Sequence, residues 1–339
     1  MKIVIDAFGG DNAPLEIVEG VKLALNKHKD LEVVLCGKEK EILEILGKQM
    51  DRVEIIPADE IIENNEHPTI AIRKKKNASL VRAYDILKER EDVVGLVSAG
   101  STGAVLAGAI MKIGRIKGIT RPALAPILPT KKNSDVMVVD SGANVDCKPI
   151  NLLHFALMGS AYYSIVYNVE NPRIALLNNG SEEGKGNELA KETFPLLKQA
   201  PINFIGNKEG GDFMSGDLDV MVCDGFAGNA LLKGTEGAVA AVMSVLKRSI
   251  KTHFWSKIGY LFMKKTFKEV RNRIDVISKH GGSPLLGCKK LVVKNHGSCK
   301  RNNILASIEQ TMLLHKNQLI KKIEDSLGQL NMTEEVEEN

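Results

Sequence analysis

The sequence predicts an α/β fold, a doubly wound, mostly parallel sheet in an α/β/α sandwich. Three observations carry this: eight short β-branched runs, helical apolar spacing between most of them, and small polar or glycine-rich turns behind several. Alternating strand and helix patterns mean parallel strands joined by crossover helices, which cover both sheet faces.

In order, the strand runs are Ile3 to Ile5, Leu31 to Leu35, Val53 to Ile56, Val93 to Val97, Val136 to Val139, Ile174 to Leu177, Val220 to Val222 and Leu291 to Val293. Helical spacing marks Leu15 to Asn26, Ala71 to Lys88, Thr102 to Ile113 and Asn187 to Leu197. The turns behind the strands are Asp6-Ala-Phe-Gly-Gly-Asp11, Ser98-Ala-Gly-Ser-Thr-Gly103, Asp140-Ser-Gly-Ala-Asn144, Asn178-Asn-Gly180, Asp224-Gly-Phe-Ala-Gly-Asn229 and Asn295-His-Gly-Ser298. Strands of an open parallel sheet end on one edge, so these turns are expected to converge on a single cleft. Residues 1–330 read as one large catalytic domain, and 331–339 as an acidic tail without regular structure.

One stretch breaks the pattern. From Lys247 to Arg273 there are nine Lys or Arg and a single acid, Glu269, a net +8 in a chain of net +4. Phe254, Trp255, Tyr260, Phe262 and Phe267 fall in the same window. Residues 245–275 are therefore expected to form a protruding basic, aromatic helical segment. Phe254, Trp255, Ile258, Leu261 and Phe262 suit contact with an anionic membrane surface, or burial against a second copy of the chain.

Composition excludes several classes. Cys36, Cys147, Cys223, Cys288 and Cys299 show no Cys-x-x-Cys pair and no ligand spacing, so neither a disulfide framework nor a metal site is indicated, and a reducing cytoplasm fits. No apolar run approaches the roughly 18 to 20 residues that span a bilayer, and the first residues resemble a strand, not a signal peptide. There is no Gly-x-Gly-x-x-Gly and no Walker spacing, so a nucleotide cofactor is not supported. A mild basic excess without a recognisable module gives no case for nucleic acid.

Ser98 to Gly103 and Asp224 to Asn229 each lie between a strand and a helix, where glycines let backbone N–H groups approach an anion and the helix N-terminus favours negative charge. Each can equally be a tight turn and helix cap that serves only the fold. Lys185, in a polar turn after a strand, can reach a phosphate or an oxyanion, or pair with Glu182 or Glu183. Asp6 and Asp11 can position a cation or a lysine, and Asp11, ahead of Asn-Ala-Pro14, can as well be a helix N-cap, the reading preferred for it.

Eight collinear segments then point further: Ile5 to Pro14, Ala71 to Lys76, Ser98 to Ala104, Gly114 to Pro126, Gly142 to Pro149, Gly184 to Glu188, Val222 to Asn229 and Gly281 to Gly287. Together they resemble the signature segments of the phosphate acyltransferase family of phospholipid synthesis. The departures are Ser101, Ser141 and Ser181, where Asn, an apolar residue and an acidic residue are common. The resemblance implies a phosphotransacetylase-like fold, a cytoplasmic homodimer at the inner face of the cell membrane, and no metal or other cofactor. It implies transfer of a long-chain acyl group from acyl carrier protein to inorganic phosphate, the acyl phosphate then feeding a membrane glycerol 3-phosphate acyltransferase.

On that reading phosphate is the nucleophile, and the protein must place it and stabilise an oxyanion. Expected catalytic residues are Lys185, Asp224, Asn229 and, as proton donor to the leaving thiolate, His296. Expected phosphate and substrate contacts are Asp6, Gly9, Gly10, Ser98, Gly100, Ser101, Thr102, Gly103, Asn144, Asn187, Gly225 and Gly228. Arg73, Lys74, Lys75 and Lys76 suit the acidic carrier protein. Two rivals stay open: a short-chain phosphotransacetylase using coenzyme A thioesters, and a non-catalytic lipid-binding regulator.

Overall fold

All eight expected runs are strands in the computed structural model, which describes residues 1–48, 50–274 and 281–337: β1 (Lys2–Asp6), β2 (Glu32–Gly37), β3 (Val53–Pro57), β4 (Val93–Ser98), β7 (Asp135–Val139), β8 (Arg173–Asn178), β10 (Val220–Val222) and β12 (Leu291–Lys294). Four more join them: β5 (Ala123–Leu124), β6 (Ile127–Pro129), β9 (Asn203–Glu209) and β11 (Ser283–Leu286). Two of these are only two or three residues long, and β9 carries polar residues at both ends, so none offers a strong apolar run.

The strands divide between two sheets instead of one. The first runs β3-β2-β1-β4-β12-β11-β5, and the second β6-β7-β10-β8-β9. Pairing is parallel from β3 through β12 and from β7 through β9, while β11, β5 and β6 are antiparallel additions. The inner parallel strands are buried almost end to end, as strands covered on both faces must be, while the outer strands β3 and β9 are only partly covered.

The helices are α1 (Leu15–Lys27), α2 (Glu39–Leu46), α3 (Pro68–Lys74), α4 (Ser79–Glu89), α5 (Thr102–Gly108), α6 (Pro149–Tyr167), α7 (Glu188–Gln199), α8 (Gly225–Thr252), α9 (Phe254–Ile274), α10 (Arg301–Lys316) and α11 (Leu319–Glu337). The span expected as one helix from Ala71 to Lys88 is two, broken between Lys74 and Ser79. Beyond Gly108, α5 widens into a π turn, Ala109–Ile113. Because α6 is apolar on every face, periodicity gives it no signal; it is almost wholly buried and packs against α7, α10 and α11.

From Gly234 onward α8 and α9 form a helical hairpin most of whose residues are exposed. At its far end Arg273 donates to Asp135 Oδ1 at 2.7 Å and to the Ser134 carbonyl, tying the hairpin to β7. Residue 275 of the expected segment lies outside the described residues. Helix α11 continues through Glu337, into the stretch the sequence assigns to a tail without regular structure; 338 and 339 lie outside the described residues.

Candidate active site

With two sheets, the strand-end turns lock into two hydrogen-bonded groups, one at the end of each sheet. At the end of the first sheet the turns after β1, β4 and β12 lock together. Asp6 is buried, accepting from Ser79 Oγ at 2.6 Å and from Ser98 Oγ at 2.7 Å, with the N–H groups of Phe8 and Gly9 also reaching it. Burial pushes its carboxyl pKa up, and these donors oppose the shift. Asp6 therefore holds the turns from beneath and presents no free oxygen to a ligand.

Ser98 Oγ in turn accepts from the Gly100 N–H at 3.0 Å, and Asn295 N–H donates to the Ser98 carbonyl at 2.8 Å. A Cβ on Gly9 would lie 2.3 Å from Asp6 Oδ2 and 2.7 Å from the Gly100 nitrogen, so only glycine lets the β1 and β4 turns meet. Gly10 fits against Ala99 and the Gly297 carbonyl. Ser101 caps α5, accepting from Ala104 N–H, with Thr102 and Gly103 in the first turn. Asp11 does not cap α1: the helix starts after Pro14 without a side-chain cap, and the Asp11 N–H donates to Gly297 instead. His296 is exposed in this cluster; Nδ1 and Ser298 Oγ share a hydrogen bond of 2.8 Å.

The second cluster forms where β7, β8 and β10 end. Asp140, fully buried, organises it: Oδ1 accepts from Leu124 N–H at 2.8 Å, and Oδ2 from Asn144 N–H at 2.6 Å and Asn144 Nδ2 at 2.9 Å. Asn144 also donates to the Pro122 carbonyl, and its own carbonyl receives the Gly225 N–H at 2.7 Å, at the first turn of α8. Asn144 is thus a strut between Asp140 and α8, its amide already engaged. Gly228 packs so tightly that a Cβ would lie 1.9 Å from the Asp140 carbonyl oxygen.

Between β8 and β10 opens a cleft of about 290 Å³, lined by Asn178, Asn187, Asp224, Cys223, Leu152 and Leu176 among others. Asp224 caps α8, accepting from Ala227 N–H at 2.8 Å, and Asn187 caps α7, accepting from Ala190 N–H at 2.9 Å. Two helix N-termini therefore face one cleft, which favours an anion there. Burial, with Asp224 and Asp140 nearby, holds the Cys223 thiol well above its ordinary pKa, so it offers no thiolate.

Lys185 stands one residue before Gly186, which lines the cleft. It is exposed and makes no ion pair among the described residues; of its two expected partners, Glu183 pairs with Lys198 at 2.9 Å instead. Asn178 Nδ2 donates to its carbonyl at 3.0 Å, and Asn207 Nδ2 secures the same loop through the Glu182 carbonyl. Asn229, exposed on α8, approaches the turn at Gly142.

Of the residues the sequence selects for its site, the structure sets Asn187 and Asp224 in this cleft, Lys185 one residue from its wall, and Asn144, Gly225, Gly228 and Asn229 around the adjoining Asp140 turn. It places Gly9, Gly10, Ser98, Gly100, Ser101, Thr102, Gly103 and His296 in the other cluster. Sequence reasoning missed Asp140 and Ser79. Asp140 stands at the head of a quoted turn, but nothing local distinguishes it from a surface acid; Ser79 meets Asp6 only through the fold. Of the basic run, Lys75 is spent on Glu66 at 2.6 Å and on the Ile61 carbonyl, while Arg73, Lys74 and Lys76 are exposed at the end of α3, which packs on α5. Among the described residues no group of three His, Cys, Asp or Glu side chains is placed to hold a metal, and no helix is long and apolar enough to cross a membrane.

Comparison with known proteins agrees with this architecture. The phosphotransacetylase of Streptococcus pyogenes superposes with a TM-score of 0.56 at 19% identity, covering 93% of this chain and 94% of that one. EutD phosphotransacetylase of Staphylococcus aureus gives 0.55 at 16%, covering 96% and 94%. These show a shared fold. Over sequence, the phosphate acyltransferase of Clostridium tetani is 46% identical over 330 residues, 96% of this chain and 98% of that protein. That of Clostridium acetobutylicum is 45% identical over 335 residues, covering 98% and 100%. Residues 1–322 match the family described as fatty acid synthesis protein, and with near-complete coverage of its curated relatives the chain belongs to the phosphate acyltransferase family.

Proposed function

We propose that the chain moves a long-chain fatty acyl group from acyl carrier protein to inorganic phosphate, making an acyl phosphate for glycerol 3-phosphate acylation. The observation that carries this reading is the cleft between β8 and β10, where two helix N-termini and Lys185, without an ion pair among the described residues, favour an anion beside apolar walls. A phosphate oxygen attacks the thioester carbonyl carbon, forming the C–O bond while the carbonyl electrons move onto oxygen. Lys185 and the backbone N–H groups at the start of α8 stabilise that oxyanion. Its collapse breaks the C–S bond, and the thiolate takes a proton from His296, whose Nε2 has no partner among the described residues. No cofactor enters these steps.

Thiol release from a long-chain acyl carrier protein, compared with the same acyl group on coenzyme A, tests the donor. Phosphate-dependent release from the carrier thioester is expected. Release only from coenzyme A would favour the short-chain reading, and none from either the non-catalytic one.

The exposed Arg73, Lys74 and Lys76 suit an acidic carrier protein beside the α5 turn. Charge reversal at Lys74 and Lys76 is expected to raise KM for the carrier-bound donor several-fold and to leave KM for phosphate unchanged, since Lys75, held by Glu66, remains. An equal change in both constants would argue for a structural effect.

In α9, Trp255 is 78% exposed and Phe262 85%, with Phe254 and Leu261 also open and Ile258 partly covered. Lysines surround them, which suits peripheral docking on an anionic membrane, while exposed Val242 and Val245 on α8 suit a second copy of the chain. Vesicles containing anionic lipid should sediment the protein and shift Trp255 emission to the blue; neutral vesicles should do neither. Loss of binding at high salt would follow from screening.

A further inference from the structure

One cation outside the described cleft has no structural employment. Lys294 ends β12 in register with Ser98 of β4, so both side chains stand on the same face of the first sheet at its carboxyl edge. Ser98 is bound to Asp6, and the turn following Lys294 is tied to the Ser98 carbonyl through Asn295 N–H. The lysine is therefore fixed at the floor of the first cluster. It is half-buried, and among the described residues its ammonium makes no ion pair and no hydrogen bond.

Its charged surroundings reach across the molecule. Asp11 belongs to the β1 turn and favours the ammonium, whereas Lys233, two turns into α8 on the second sheet, opposes it. Lys233 is itself paired with Glu236 at 2.8 Å. Cys299 is also near, but burial pushes its thiol up to about 11, so it supplies no counter-charge near neutrality. Burial lowers the Lys294 pKa. A half-buried ammonium with another lysine nearby and no paired acid is unfavourable unless an anion joins it.

We propose that Lys294 is the cation that receives the phosphate acceptor, a multiply charged oxyanion, at the floor of the first turn cluster. The inference rests on the acyl-to-phosphate reading and divides its labour: Lys294 holds the nucleophile, and Lys185 serves the oxyanion. It also gives the first cluster, with its glycine turns and the N-terminus of α5, a part in a reaction whose acyl cleft lies at the second sheet. The same oxyanion chemistry belongs to the phosphodiester of a carrier's prosthetic group, so the two sources must be separated.

The experiment is steady-state kinetics of the full chain, Lys294→Met and Lys294→Arg, varying inorganic phosphate and the acyl carrier thioester in turn, with sulfate as a competing oxyanion. A charge-assisted contact to an oxyanion is worth roughly tenfold to a hundredfold in affinity. Lys294→Met is therefore expected to raise KM for phosphate at least about tenfold, to weaken sulfate inhibition similarly, and to leave KM for the thioester unchanged. Lys294→Arg should recover much of both. A KM for phosphate that does not move overturns the inference, as does a change confined to the thioester, which would place the prosthetic-group phosphodiester there. Wild-type protein showing no phosphate-dependent release would instead overturn the underlying reading, and the two failures are distinguished by that control.

Discussion

Asp140→Ala is expected to destabilise the chain by about 4 kcal/mol or more and to abolish activity in whatever folds. The carboxylate is fully buried and accepts from Leu124 N–H, Asn144 N–H and Asn144 Nδ2. Removing it strands those donors without water, at roughly 1–3 kcal/mol each, a large part of a typical stability of about 5–15 kcal/mol. The damage also travels to the site. Asn144 loses the partner that fixes it, and its carbonyl is what holds the Gly225 N–H at the start of α8. Asp140→Asn keeps the shape and one acceptor oxygen, so it should fall between wild type and Ala. Thermal melts of the three proteins check this; an Ala variant that melts with wild type would show that Asp140 does not carry the turn.

Lys185→Ala is expected to lower turnover by about 100-fold, the scale of losing one oxyanion donor, while the melting temperature stays put. The side chain is exposed and without an ion pair among the described residues, so its removal leaves nothing buried unsatisfied. Lys185→Arg keeps the charge but changes the geometry and should recover part of the rate. Unchanged kinetics in Lys185→Ala would remove this lysine from the chemistry and leave the oxyanion to backbone groups.

Much of the fold is legible because its strands are buried on both faces and so read as continuous β-branched runs. Each of the eight marked runs is a strand, and glycine turns follow the strands that line the clusters. The division into two sheets is not legible. Strand runs say nothing of which partners pair, and the joining pieces β5, β6 and β11 are too short to stand out. Helix α6 is invisible for the opposite reason, since a helix buried all round has no polar face to set its period. At the site, residue types and turn positions suggest Lys185, Asp224 and Asn187 locally. The roles of Asp6 and Asp140 depend on long-range partners, Ser79 from α4 and Leu124 from β5, which no local pattern can supply. Lys75 shows the converse: it looks like its three basic neighbours until the fold brings Glu66 against it.

The capping geometry also settles what kind of help the polar turns give. Ser101, Asn187 and Asp224 spend a side-chain oxygen on their own helices. An anion at these turns is therefore met by the backbone N–H groups of those helices and not by the capping side chains. Substitution of a cap by Ala should then cost stability of about 1 kcal/mol together with any loss of function.

The most direct test of the central claim follows the acceptor oxygen. With inorganic phosphate fully labelled with oxygen-18 and a long-chain acyl carrier thioester, mass spectrometry of the product is predicted to show an acyl phosphate retaining all four labelled oxygens, formed in step with thiol release. Free fatty acid as the first product, or thiol release at the same rate without phosphate, would mean that water is the nucleophile and would contradict the account.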